Sequence, residues 1–497
     1  MRIKLFIIFL IFFIPSIAFS ITRYVDTDCS NGIDTYDPGG DACTGGSDLS
    51  YDSIANCEAA MDGGDICSIR AGSYNERPTI DKSGSNGTPT TFQSYNSEAV
   101  DVNGFTITAN WVLIYDLTID WDGDNSGNPA IDVQGEDVTI DSCTLTDSNN
   151  LITHSWALDK DRLTVSNCDL SVFGGGIKIG GGDGHIIKNN TFHDQEPDTF
   201  AGAGDGIFLQ ASSGAAITNI LISGNKFYNW TQQGTSEHAD AIQLVTQSGG
   251  ICESNECTGA IIEYNYFDQR EDPYGEGDQI TAIMLDGDYH GIIIRYNIFK
   301  ANLGINAGGQ VLTSAYVYNN TFVGDLNFSA SYAGGLNADA LHTGWYVHNN
   351  ISADNLDKSL YLSGSGHDTG NNYEYTTDAS NPSNSGVTVT VADPKFVTWA
   401  DAGDVPGDYS LASDSPCINA GTDMGTTGNA EMGINPNFQY ADWPGPTVLN
   451  QDDYGAWEIG AYVYVEAAPS GGPGTIAGGG SGTIAGGGTG TIEGTEP

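Results

Sequence analysis

Ile187-Lys188-Asn189-Asn190-Thr191-Phe192, Ile222-Ser223-Gly224-Asn225-Lys226-Phe227, Ile262-Glu263-Tyr264-Asn265-Tyr266-Phe267 and Ile294-Arg295-Tyr296-Asn297-Ile298-Phe299 are one pattern written four times, and Val317-Tyr318-Asn319-Asn320-Thr321-Phe322 writes it again. An apolar residue is followed three positions later by a fixed slot, and two positions after that by another apolar residue. Nine slots can be read: Leu117, Cys143, Cys168, Asn190, Asn225, Asn265, Asn297, Asn320 and Asn350, at spacings of 26, 25, 22, 35, 40, 32, 23 and 30. A unit this short cannot bury its own apolar face and must stack on copies of itself. Successive coils should lie about 4.8 Å apart, so equivalent residues form ladders. The slot asparagines then become an internal hydrogen-bonding ladder at a turn. Cys143 and Cys168 read as buried small thiols filling the same column.

Each repeat has a second strand beyond the slot: Ala130–Val133, Gly176–Ile179, Gly206–Leu209, Ala241–Leu244 and Ala282–Leu285. Period-two alternation turns Ile177/Ile179, Ile207/Leu209, Ile242/Leu244 and Ile283/Leu285 inward. Lys178, Phe208, Gln243 and Met284 then point outward in one row. Glu263 and Arg295 fall in another outward row on adjacent coils and read as a cross-coil salt bridge.

The ends differ from the middle. Arg2, Lys4, the apolar run Leu5–Ile14 and the small residues near Ser20 read as a secretory signal peptide over 1–20, too short to span a bilayer. Residues 51–61 are the best helix candidate, with Ser53 as cap and Ile54, Cys57 and Met61 on one face. A helix there would cover the open end of the stack. Residues 21–63 thus read as an N-terminal cap, 64–375 as the stack and 376–465 as C-terminal coils and cap, with strands around Tyr409–Ile418 and Trp457–Val465. The Gly/Thr-rich stretch 466–497 reads as a flexible tail.

Composition narrows the partners. Sixty-four acidic against 16 basic residues give a net charge of −48. Such a surface repels nucleic acid, favours divalent cations, and repels polyanionic glycans unless a metal bridges the carboxylates. Nine cysteines suit an oxidising, extracellular setting. Cys29, Cys43, Cys57 and Cys67 allow three pairings, Cys252 and Cys257 can close a small staple, and Cys417 reads as a buried free thiol.

The Asn-x-Phe repeats resemble those of the right-handed parallel β-helix proteins, the pectate-lyase-like superfamily. The run Tyr24-Val25-Asp26 … Gly64-Asp65-Ile66 … Ala71-Gly72-Ser73-Tyr74 is similar to the opening coil of that group. Asp393-Pro394-Lys395-Phe396 … Ser415-Pro416-Cys417-Ile418-Asn419-Ala420-Gly421 … Ile459-Gly460-Ala461-Tyr462 looks like the closing segment of many secreted members. The resemblance implies an all-β fold: a right-handed parallel β-helix (solenoid) with a short N-terminal capping helix and a flexible Gly-rich C-terminal tail. It implies a secreted protein of a superfamily that holds lyases, glycosidases, epimerases, tailspikes and adhesins. The chain lacks the Asp-Asp and Gly-His-Gly signature of polygalacturonases and the arginine-lysine constellation of pectate lyases.

The long spacings fall together between Asn190 and Asn297. Their extra residues form loops, His193–Gly204, Tyr228–Ala239 and Asp268–Ile280, on one flank beside the outward row, where solenoids place binding surfaces. Gly204-Asp205-Gly206-Ile207 and Ala239-Asp240-Ala241-Ile242 align residue for residue, so Asp205 and Asp240 should be neighbours on adjacent coils. Two close carboxylates either bind a cation or raise one pKa. The expected metal set is Asp205, Glu237, Asp240 and Asp278, with calcium as the cofactor; the expected catalytic set is Asp205, Asp240, His238 and Lys178. Phe208, Gln243, Trp230 and Tyr274 are the expected substrate contacts, the two last either stacking on a sugar or packed beneath their loops. Asp before a strand is also a common turn residue, and Lys178 also suits a structural ion pair. The expected function is binding and processing of an extracellular polysaccharide by a monomer, through elimination or hydrolysis. A non-catalytic surface protein or a calcium-dependent glycan binder is the alternative.

Overall fold

The computed structural model describes residues 20–121, 128–154, 160–195, 204–211, 215–230, 239–246, 257–269, 281–287, 289–301, 303–307, 312–324, 334–354, 358–376, 385–399, 407–425 and 432–466. The leader expected over 1–20 lies outside these residues but for Ser20. The tail lies outside them from 467 onward. The chain divides into two units, Met1–Tyr464 and Val465–Pro497.

The first unit is a right-handed parallel β-helix. One coil runs Ile177–Ile179, Ile186–Lys188, Thr191–His193, and the next begins at Ile207. These strands belong to three sheets, named here first, second and third in that order. Among the described residues the sheets hold 11, 15 and 13 strands, and parallel pairing joins each coil to the next. The core is the tube they enclose. Its packing is columnar: Phe192, Phe227, Phe267, Phe299 and Phe322 stack with ring centroids 4.7, 5.0, 4.9 and 4.6 Å apart. That spacing is the inter-strand distance itself.

The slot lies between the second and third sheets, and its chemistry explains the repeat. Asn265 Oδ1 accepts from the backbone N–H and the Nδ2 of Asn225, 2.9 and 3.0 Å away. Its own Nδ2 donates to Ile222 O, the apolar residue that opens the preceding copy of the pattern. The same bonds recur from Asn190 through Asn225, Asn265, Asn297, Asn320 and Asn350. They continue to Asn372, a tenth slot, whose Oδ1 accepts from Asn350 N. Buried Leu117 heads the column, Cys143 and Cys168 follow as buried free thiols, and Cys168 N donates to Asn190 Oδ1. The residue before each slot takes a left-handed backbone, as at Asn189, Gly224, Tyr264, Tyr296 and Asn319. One such residue turns the chain sharply enough to join two sheets.

The N-terminal helix forms inside the expected 51–61 stretch, and Tyr51 ends a strand, Asp48–Tyr51, ahead of it. The helix Ile54–Ala60 is capped by Ser53, whose side chain accepts from Asn56 N, and Ile54, Cys57 and Met61 are buried. Glu76 adds a cap that the sequence did not suggest, its carboxylate accepting from Ile54 N and Ala55 N at 2.7 and 3.0 Å. Cys29 pairs with Cys43 and Cys57 with Cys67, which selects one of the three connectivities. Cys257 is disulfide-bonded, and Cys252 lies outside the described residues. Cys417 is a buried free thiol.

The C-terminal segment adds one further coil, Ser385 bridging in parallel to Tyr361 and Val389–Val391 pairing in parallel with Asn372–Glu374, and then departs from the expected coils. Strands around Tyr409–Ile418 and Trp457–Val465 do not form. The segment makes a short antiparallel pair, Met432–Ile434 with Val448–Asn450, and lies along the slot turns as a lap. Gly445 N donates to Gly224 O at 2.8 Å, Tyr264 Oη to Met432 O at 2.7 Å, and Gln451 Nε2 to Tyr296 Oη at 2.8 Å. Farther along, Asn319 Nδ2 donates to Glu458 O and Gly460 N to Asn349 O. Beneath the lap the expected salt bridge forms. Arg295 Nε and Nη2 lie 2.7 and 2.6 Å from Glu263 Oε2, and Arg295 Nη1 donates to Tyr318 Oη. Among the described residues no helix is long and apolar enough to cross a membrane.

Candidate functional site

The outward row of the first sheet is fixed by strand register. Asp132, Thr153, Lys178, Phe208, Gln243 and Met284 are successive partners. The row continues through Asn306, Asn337 and Tyr361. Asn306 and Asn337 were not singled out from sequence, although extending the same register by two coils reaches them. Asn337 Nδ2 donates to Asn306 Oδ1 at 3.1 Å, so these amides form a ladder on the outer face.

Lys178 is half-buried, and its ammonium lies 5.9 Å from the centre of the Phe208 ring. Burial holds its pKa below the ordinary lysine value, and the negative charge of Asp205 opposes that shift. Phe208 is half-buried and Gln243 is buried.

Asp205 and Asp240 occupy equivalent positions on adjacent coils. Asp240 N donates to Asp205 Oδ1 at 3.2 Å, and Gly206 N donates to Asp240 O at 3.0 Å. Both side chains are closed off from solvent, at 2% and 0% exposure. The pair therefore sits at the strand edge beneath the surface. The next coil carries Thr281 in register with Asp240.

Trp230 is a correction. It is fully buried, packed edge-on against Phe173 and Phe227 at 5.6 and 6.0 Å, and cannot stack on a sugar. Gly206 makes room for it: a Cβ there would meet Trp230 Cη2 at 2.8 Å. Glu237, His238, Tyr274 and Asp278 lie outside the described residues.

Among the described residues no cluster of three or more His, Cys, Asp or Glu side chains could hold a metal. Asp205 and Asp240 alone offer too few oxygens for calcium, which takes six to eight.

Comparison with known proteins agrees with the architecture. The model for the right handed beta helix region matches residues 151–352. No curated protein matches the chain. Among solved structures it is similar to a PL6 family alginate lyase, AlyGC, at 13% identity and a TM-score of 0.44, over 72% of this chain and 55% of that one. It is similar to the pectate lyase Pel9A at 16% identity and a TM-score of 0.41, over 83% and 95%. A rhamnogalacturonan lyase aligns at 13% identity and a TM-score of 0.38, over 77% and 91%. The chain thus spans about half the length of the first of these. These likenesses concern the fold.

Proposed function

We propose that the protein binds an extracellular polysaccharide along the outward row of the first sheet and cleaves it by elimination, with Lys178 as the base. The observation that carries this reading is Lys178 itself: a half-buried amine with a lowered pKa, between Thr153 and Phe208 in a row that continues in amides. A lowered pKa enlarges the fraction of free amine near neutral pH, which a general base requires. The amine would take the proton α to a uronate carboxyl. The electron pair left behind forms the carbon–carbon double bond and expels the glycosidic oxygen, which takes a proton from water. Phe208 and Gln243 would hold the adjoining sugar by stacking and hydrogen bonding. Asp205 and Asp240, being buried, would act as positioning residues that set the field at Lys178.

Calcium belongs to the proposal as a neutraliser of substrate charge. It would need Glu237 and Asp278 beside the two aspartates, and no step above is routed through it. The disulfides and the acidic surface support an extracellular setting.

One observation favours a second reading, a glycan binder without turnover. Both aspartates are buried, so neither can touch a substrate without rearrangement. A polysaccharide panel including alginate and pectate separates the readings. Elimination produces a new double bond read by ultraviolet absorbance, and Lys178→Met should lower that rate by roughly 10²-fold or more. Binding without product, in parent and variant alike, would establish the binder and exclude the enzyme.

A further inference from the structure

The second sheet carries a groove on its outward face, of about 620 Å³, away from the Lys178 row. Its floor is the register row Leu113, Thr139, Thr164 and Ile186. Those four coils give it a length of about 14 Å at roughly 4.8 Å per strand.

The wall is unusual. At the turn entering the second sheet one residue per coil takes a left-handed backbone. Later coils place Asn219, Gly259, Gly291 and Ser314 there, types suited to it. On the groove's own coils Asp137 and Gly184 suit it too, whereas Trp111 and Arg162, at φ of 56° and 60°, do not. A tryptophan held in this conformation costs about 1–2 kcal/mol, and such strain gathers at sites of function. The Trp111 ring is half-buried and lines the groove.

The charges select the guest. Arg162 donates to both oxygens of Asp137, at 2.5 and 2.9 Å, and to Asp161 at 3.1 Å; Lys160 lies 3.3 Å from Glu136. Both cations are thus engaged by carboxylates, and with Asp183 the acids outnumber them four to two. An anionic sugar meets repulsion here. A neutral sugar can lay its apolar face on the indole, donate hydroxyls to Asp137 and Asp183, and accept from the Arg162 Nη N–H groups that Asp137 and Asp161 leave over.

We infer that this groove is a binding subsite for a neutral polysaccharide, with Trp111 as its stacking platform and the Asp137–Arg162 pair as its polar clamp. The inference extends the polysaccharide reading but does not rest on elimination at Lys178. It gives the chain a second, non-reacting hold on a mixed polymer or on the material around it.

Calorimetry on the full chain with xylo-, cello- and manno-oligosaccharides, and with oligogalacturonate, tests it. At least one neutral series should bind, oligogalacturonate should not compete, and Trp111→Gly should weaken binding roughly tenfold, a loss of about 1.4 kcal/mol. Glycine suits that backbone, so this variant should fold. Thr164→Lys, which fills the floor, should weaken binding to a similar degree, while Lys178→Met should leave it intact. Absence of binding by all three neutral series, unchanged affinity in Trp111→Gly, or equal competition by oligogalacturonate would overturn the inference.

Discussion

Two flanks of the same β-helix put large aromatic residues where the backbone is left-handed. Under the C-terminal lap these are Tyr264 and Tyr296, stacked 5.5 Å apart, buried, and hydrogen-bonded to Met432 O and Gln451 Nε2. On the second sheet's early coils it is Trp111, half-buried at the edge of an open groove. In the first place the backbone cost is offset by burial and hydrogen bonds that can be named. In the second the ring has no comparable cover, and the cost is left for a ligand to explain. Identical local geometry therefore has different meanings, and surroundings decide which applies.

The largest effect should come from loosening the lap. Trp457 is 2% exposed and donates to Asp452 Oδ1 at 2.9 Å. Trp457→Ala should cost about 3–5 kcal/mol by denaturant unfolding. Next comes the ladder beneath the lap. Asn265→Ala strands the Asn225 N–H and the Ile222 carbonyl, for a loss of about 2–4 kcal/mol. Cys168→Ala, in the same column on the uncovered coils, removes a weak 3.4 Å acceptor for Cys143 N and the thiol's weak donations to Ser166 O and Ile140 O at 3.2 and 3.7 Å, and should cost about 1–2 kcal/mol. Equal losses at the two sites would show that the column is held by packing alone.

The lap should also respond to pH. Glu458 is 1% exposed, and burial raises its carboxyl from 4.5 to about 8. The folded state therefore holds a proton that the unfolded chain releases above pH 4.5. This group's contribution is most favourable below that pH, declines as the pH rises, and is lost through pH 8. Proteolysis of the lap should accelerate between pH 5 and 9, and Glu458→Gln should flatten that dependence. A parent chain whose lap is equally resistant across this range would contradict the assignment.

Much of this is legible in the sequence. The slot column, the outward row from Lys178 to Met284 and the Ser53 cap all follow from short periods, because in a parallel stack register converts sequence spacing directly into contact. Asn372 was missed because Thr369 and Glu374 stand where the pattern has apolar residues. The lap reads as further coils in the sequence because its contacts are non-periodic and distant, as between Asn319 and Glu458, 139 positions apart. Trp230 shows the limit of reading loops: a tryptophan in a long insertion looks the same on paper whether it faces a sugar or the core. The groove at Trp111 left no trace because the turn position carries a telling Asn or Gly only in later coils, at Asn219, Gly259 and Gly291, and Trp111 breaks that pattern. For Asp205 and Asp240 the pairing is readable, and so is the burial, since alternation gives Asp205 the inward parity of Ile207; the turn reading of these residues accounts for both.

The most direct test is a matched pair of glycine substitutions, Tyr296→Gly and Trp111→Gly, compared by thermal or denaturant unfolding. Each relieves the same backbone strain. The account predicts that Tyr296→Gly loses about 2–3 kcal/mol, because the buried ring and its bond to Gln451 vanish. Trp111→Gly should change stability by less than about 1 kcal/mol in either direction. Comparable losses at both positions would mean that Trp111 is a packing residue like Tyr296, and the contrast between a covered and an open flank would fall.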